Sequence, residues 1–271
     1  MDFSNRVAVI TGGGSGIGRA VAAAMARRHV AGVALVDMSE AVEDVAEKLN
    51  AEAGRTFAIA FQGNTTDERF RASVFDAIGR KYGRVSLCVP AAGITRDELA
   101  VRIDKNTGKA RIYPLEQFKL VVDVNLIAPI YWALEMIGRI AEDRAAKGLK
   151  RWGADEGIQG SVVFIGSISS QGNRGQISYA STKAGLEGAA ATVMKEAMFH
   201  GVRCGVIHPG FTDTPMVRSM GMDYVAKNIL PYTQLGRLIR PDEIADAICF
   251  MLVNAAVSGE LWVDAGWHAP A

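Results

Sequence analysis

The chain is poor in metal-binding and disulfide-forming side chains, with only 3 cysteines and 4 histidines in 271 residues. Cys88, Cys204 and Cys249 are odd in number, far apart, and each sits in an apolar stretch. That excludes a disulfide framework and points to a reducing, cytoplasmic compartment. His29, His200, His208 and His268 form no i,i+4 pair and have no cysteine at ligand spacing, so no metal site is expected. Charge of one sign is also missing: 30 basic residues against 29 acidic ones leave a net charge of +1. The strongly basic face that nucleic acid or an anionic membrane demands is therefore not expected. No uncharged apolar run approaches the roughly 18 residues of a membrane span, and residues 6–11 already read as a strand, leaving no room for a signal peptide. Nor is there a Pro/Ser-rich linker, an internal repeat or a low-complexity tract. The expectation is one domain over residues 1–271.

What the chain does contain is an alternation of short β-branched runs with longer segments of helical period. Strands are expected at 6–11, 33–37, 57–61, 86–89, 161–165, 202–208 and 261–264, and the first three are followed by helices at 15–28, 39–53 and 66–82. Strands this apolar need cover on both faces. Right-handed crossovers then give an α/β, Rossmann-type doubly wound sheet of about seven parallel strands, with ligands outside the strands' carboxyl ends. Two insertions interrupt the pattern. Residues 99–113 read as an exposed β-hairpin turning near Gly108, able to flank a substrate mouth. Residues 141–160 read as extra helical turns and a Gly-punctuated loop, a solvated surface or subunit contact.

Thr11-Gly-Gly-Gly-Ser-Gly-Ile-Gly18 follows the first strand and opens the first helix. Glycines let the backbone turn sharply and let a diphosphate approach the main chain, while the helix N-terminus offers N–H donors and partial positive charge. Gly12, Ser15, Gly16, Ile17 and Gly18 are thus candidate cofactor contacts. Asp37, 19 residues beyond Gly18, stands where a dinucleotide site places an acid on the adenosine ribose. A carboxylate accepts from a 2′-hydroxyl and repels a 2′-phosphate, so NAD(H) is expected in preference to NADP(H). Tyr179 and Lys183 share a helical face at i,i+4, and a cation beside a phenol favours proton transfer near neutral pH. Ser167, 12 residues before Tyr179, follows a strand and points a hydroxyl at the same cleft; Ser169 is its competitor.

With these motifs the chain resembles the short-chain dehydrogenases/reductases over essentially its full length. TGxxxGxG is Thr11–Gly18, YxxxK is Tyr179–Lys183, the strand-end serine is similar to Ser167, and the family asparagine is similar to Asn125. The resemblance implies that Tyr179 moves a proton, Lys183 holds the nicotinamide ribose and depresses the tyrosine pKa, Ser167 bonds the substrate oxygen, and Asn125 anchors a water leading to Lys183. It extends the cofactor set to Asn64, Ala92, Gly93, Pro209, Gly210 and Thr214. Three departures stand out. Pro90-Ala-Ala-Gly93 replaces the usual Asn-Asn-Ala-Gly, so contacts there are expected from the backbone. Asn64 replaces an acid, though its amide oxygen can still accept. The separation of Asn125 from Ser167 is longer than usual, through the 141–160 insertion.

The function this implies is NAD(H)-linked interconversion of a secondary alcohol and a ketone. Residues 172–176 and 209–216 are most similar to 3-oxoacyl reductases and 3-hydroxyacyl dehydrogenases acting on acyl-carrier-protein or CoA thioesters. A polyol, sugar-alcohol or steroid-type dehydrogenase is the alternative within the family. Outside enzymes, a dinucleotide-sensing scaffold would lack a member of the proton-transfer set. Met216, Met220, Met222 and Tyr224, with a Gly221 hinge, offer an apolar lid or plain packing. Helices at 115–140 and 179–200 resemble those that build family tetramers, so a homo-oligomer is expected.

Overall fold

The computed structural model describes residues 3–267; His268 and the outermost residues of the expected 1–271 domain lie outside it. Among the described residues, seven strands form one sheet in the order β3-β2-β1-β4-β7-β8-β9, every neighbouring pair parallel. These are β1 (Val7–Thr11), β2 (Gly32–Asp37), β3 (Ala58–Gln62), β4 (Leu87–Pro90), β7 (Gly160–Ile165), β8 (Val202–Pro209) and β9 (Gly259–Val263). The four central strands and β8 are buried on both faces, in keeping with their largely apolar sequences. One face is covered by α1 (Gly16–Ala26), α2 (Ala41–Ala53) and α9 (Pro241–Val253), the other by α3 (Glu68–Tyr82), α5 (Ala128–Ala146) and α6 (Ile177–Ala197). All seven expected strands and the three helices that follow the first of them are present, with no end shifted by more than two residues.

The order reverses between β1 and β4, which makes their carboxyl ends the topological switch point where a doubly wound sheet opens a crevice. The crevice is widened by a proline. Ala91 donates its N–H to Thr11 of β1, so the nitrogen of Pro90, one residue back, faces β7 and has no hydrogen to give. β4 and β7 are accordingly registered over only two residue pairs, Leu87 with Ser161 and Cys88 with Val162.

Residues 99–113 form the expected hairpin, β5 (Val101–Ile103) against β6 (Ala110–Ile112), with both strands exposed and Gly108 in the left-handed region. Residues 141–160 are largely exposed, with one buried tie. Arg144 is 2% exposed, bonds both oxygens of Glu156 and the Lys150 carbonyl, and so ties the end of α5 to the short helix Ala154–Glu156. A difference lies in the helix before it. α4 (Leu115–Val122) runs into α5 through a π-helical turn, Asp123–Ile127. The whole of Leu115–Ala146 is long and apolar enough to cross a membrane by length and composition, despite its charges. Here its inner face, with Trp132, Met136 and Ile140, is fully buried in the core.

Candidate active site

The glycine-rich turn leaves β1 and doubles back into α1. At Gly12 φ is +68°, and a Cβ would stand 2.9 Å from the Ala91 backbone; at Gly18 it would meet the Gly12 carbonyl oxygen at 2.2 Å. No other residue fits either position without moving main chain. Thr11 closes the seam, its Oγ1 accepting from Ala92 N at 3.1 Å. Ser15 caps α1 without a side-chain bond to the helix, so its hydroxyl joins the free first-turn N–H groups as donors to the crevice.

These groups line a cavity of about 630 Å³. Of the residues expected to bind cofactor, Gly12, Ser15, Gly16, Ile17, Gly18, Asp37, Asn64, Ala92, Gly93, Tyr179, Lys183 and Thr214 border it, whereas Pro209 and Gly210 border a second cavity of about 250 Å³. Asp37 borders the first beside the glycine-rich turn. Its carboxylate accepts from Gly14 N at 2.9 Å and Ser39 N at 3.0 Å, which fixes its place at the end of β2. Backbone donors of the turn, a carboxylate next to them and space kept by absent side chains fit a dinucleotide. Asn64 differs from the expectation. Its amide oxygen already accepts from both the N–H and the hydroxyl of Thr66, so it offers no free acceptor to an adenine amine.

Ile17, Ile165, Tyr179, Thr214 and Met216 border both cavities. At this shared wall the proton-transfer residues converge. α6 presents Tyr179 and Lys183 one turn apart, and Ser167, the residue two beyond the end of β7, lines the second cavity with Tyr179. Ser169 instead donates to Gln176, 2.9 Å away, which leaves Ser167 as the serine paired with the tyrosine. Lys183 Nζ donates to the Ile165 carbonyl at 2.7 Å and lies 5.4 Å from the centre of the tyrosine ring. Ile165 is beyond the point where β4 and β7 part, so its carbonyl is open to the lysine.

Burial dominates the electrostatics. It pushes the Tyr179 hydroxyl up to about 12, against the pull of the Ser167 hydrogen bond and with the push of the Asp97 charge. It also lowers the Lys183 ammonium to about 8. The expected lowering of the tyrosine by the lysine is therefore not what the geometry produces: the ammonium is spent on a carbonyl, and loss of water around the phenol outweighs the rest.

Asn125 sits in the π-helical turn, fully buried. Its amide bonds both polar groups of Ile94, accepting from the N–H at 2.9 Å and donating to the carbonyl at 2.8 Å. The side chain thus clamps the segment just past Gly93 with one N–H and one oxygen lone pair. A π-bulge at such a place is a common way of aiming backbone in a site.

The sequence reading missed the wall of the second cavity. Thr95, Asp97, Asn173 and Gln176 line it opposite Phe211, Met216 and Met220. Gln176 donates to Asp97 at 2.7 Å and accepts from Ser169 and Asn173. Their position beyond the ends of β4 and β7 was the available signal. Met222 and Tyr224 are exposed and border neither cavity, and Gly221 carries a φ of +90° between the short helices α7 (Pro215–Arg218) and α8 (Met222–Asn228).

A family model described as Enoyl-(Acyl carrier protein) reductase matches residues 12–268. The 3-oxoacyl-(acyl-carrier-protein) reductase FabG of Escherichia coli (strain K12) is 29% identical over 272 residues, covering 99% of both chains. A cis-4-hydroxycyclohexanecarboxylate dehydrogenase of Sinomonas cyclohexanicum is 30% identical, covering 98% of both. The human (3R)-3-hydroxyacyl-CoA dehydrogenase is 30% identical over 90% of this chain and 87% of its own. In fold, the chain is similar to a short-chain type dehydrogenase/reductase of Mycobacterium marinum, with a TM-score of 0.83, 23% identity, and coverage of 99% and 98%.

Proposed function

The chain belongs to the short-chain dehydrogenase/reductase family of nicotinamide-dependent oxidoreductases, and on that premise we propose that it reduces a 3-oxoacyl thioester, carried on acyl-carrier protein or CoA, with NADH. The observation that carries this reading is Tyr179 at the wall common to both cavities, with Ser167 bordering the second. When bound, the nicotinamide supplies the hydride that a carbonyl carbon accepts. Tyr179 Oη gives its proton to the carbonyl oxygen, and Ser167 Oγ holds that oxygen as charge builds on it. At neutral pH Tyr179 holds its proton, as the acid of a reduction must. Lys183, still largely charged below about pH 8, orients the nicotinamide ribose. Asn125 acts through Ile94, keeping Gly93 at the cavity wall. Asp37 accepts from the adenosine ribose and rejects a 2′-phosphate, which supports NAD(H) over NADP(H).

A second reading, a secondary alcohol dehydrogenase for a small hydroxylated substrate, is favoured by the second cavity, small and lined on one side by Asp97, Gln176 and Asn173. The relative named for cis-4-hydroxycyclohexanecarboxylate lends it support. We place the protein in the cytoplasm, where the buried thiols of Cys88, Cys204 and Cys249 remain unpaired. Titration of NADH against NADPH, then turnover on 3-oxoacyl thioesters and secondary alcohols, tests all of this. Tight NADH binding with thioester reduction is expected. Alcohol oxidation alone selects the second reading, and preference for NADPH rejects the role given to Asp37. Tyr179→Phe should lower turnover at least about a hundredfold with NADH affinity unchanged; unaltered turnover would sink the mechanism.

A further inference from the structure

His208 is completely buried near the carboxyl end of β8, and nothing in the proton-transfer mechanism uses it. Its ring faces the catalytic loop from below. Nδ1 lies 3.2 Å from the carbonyl oxygen of Ser167, and since a carbonyl only accepts, Nδ1 carries the hydrogen. The ring stacks on Trp262 of β9, centroids 4.2 Å apart and 12° from parallel. Space for it is kept by Gly166, where a Cβ would stand 2.6 Å from Nδ1. Two carboxylates flank it, Glu187 of α6 at 3.9 Å from Nδ1 and Glu260 of β9 at 3.2 Å from Nε2. Glu187 is one turn beyond Lys183 on the helix that carries Tyr179. The imidazole therefore stands between the catalytic helix, the edge strand and the peptide of the serine.

We propose that His208 is a positioning residue for Ser167, fixing the Ser167–Ile168 peptide through Nδ1 and thereby aiming the serine hydroxyl at Tyr179. The proposal rests on the oxidoreductase reading above. The argument is one of degrees of freedom. Ser167 is extended, with φ −171° and ψ 154°, and its hydroxyl accepts from Ser169 N while the residue lines the second cavity with Tyr179. Its carbonyl accepts from Ser170 N at 3.0 Å and from His208, two donors approaching from different directions. Without the imidazole, a single bond within a short 3-10 turn fixes the peptide plane, and rotation about ψ carries the carbonyl away while the loop relaxes. Catalytic geometry tolerates little such drift.

Leucine and asparagine are close in size, but only asparagine offers an N–H near the place of Nδ1, so the two variants separate hydrogen bonding from packing. His208→Leu should lower kcat about tenfold or more with the affinity for NADH unchanged, and His208→Asn should recover to within about threefold of the parent. The same samples report independently of turnover through amide hydrogen exchange: Ser169 and Ser170, whose N–H groups bond the serine, should lose protection in His208→Leu and keep it in His208→Asn. Equal impairment of both variants assigns the ring to packing and overturns the proposal, as does a leucine variant with parental kcat and exchange. A parent that binds NADH but turns over no substrate defeats the oxidoreductase reading instead, and the exchange comparison then decides His208 alone.

Discussion

Lys183 carries a cost that its chemistry explains. Burial holds its folded-state pKa near 8, below the ordinary 10.5, so folding releases a proton between those values and stability rises with pH through that window. Below about pH 8 the full penalty applies, on the order of 3 kcal/mol, offset by about 1 kcal/mol from the bond to Ile165. Lys183→Met should therefore raise the thermal midpoint at pH 7 while abolishing turnover, and the gain should vanish toward pH 10.5; scanning calorimetry at both pH values checks it. A lower midpoint at pH 7 would contradict the account. Each oxygen of Asp37 accepts from one backbone N–H, so Asp37→Asn removes the charge, keeps the shape and gives up one of the two bonds. The ratio of NADPH to NADH affinity should rise about tenfold, read by fluorescence titration. That Tyr179, Lys183, Ser167 and Asp37 border the cavities was legible from spacing together with the family resemblance. What spacing could not reveal was how dry the site is, and dryness reversed the expected effect on the tyrosine. The fate of the Asn64 oxygen was equally hidden, since it depends on a turn made with Thr66.

At the scale of elements, strands were legible because they are apolar on both faces, and helices because their buried residues recur at helical period. The π-helical turn was not: Leu120 to Ala128 reads as ordinary α-helix, and only the fit of Asn125 against Ile94 rewards the extra residue. Asn125→Ala strands both polar groups of Ile94 and should cost about 2 kcal/mol, measured by chemical denaturation. The hairpin is the opposite case, fully legible from its alternation and its Gly108 turn. Its strands are exposed, and the anchor is Tyr113 just beyond them, buried with its hydroxyl on the Arg96 carbonyl and Ser178. Replacing 101–112 by a short Gly/Ser turn should leave the thermal midpoint within about 3 °C and NADH binding intact.

For the whole molecule, the outer face of α5 carries Ile127, Tyr131 and Leu134 at helical spacing, each 42% to 51% exposed. Next to them on α6, the small residues divide: Gly185 packs against Leu126 and Ala190 is buried, whereas Gly188 faces open space. Such a stripe fits the expected homo-oligomer, and Tyr131→Glu with Leu134→Glu should reduce its mass in size-exclusion with light scattering; a parent already monomeric would reject the idea. The wall shared by the two cavities has a consequence for the order of events. Thr214 and Met216 border both spaces, so whatever fills the larger one finishes the surface of the smaller. Addition is then compulsory, cofactor leading and substrate following, and a dead-end substrate analogue should inhibit uncompetitively against NADH. In a cell, the redox state of the nicotinamide pool would decide how many copies are ready to work before any substrate arrives.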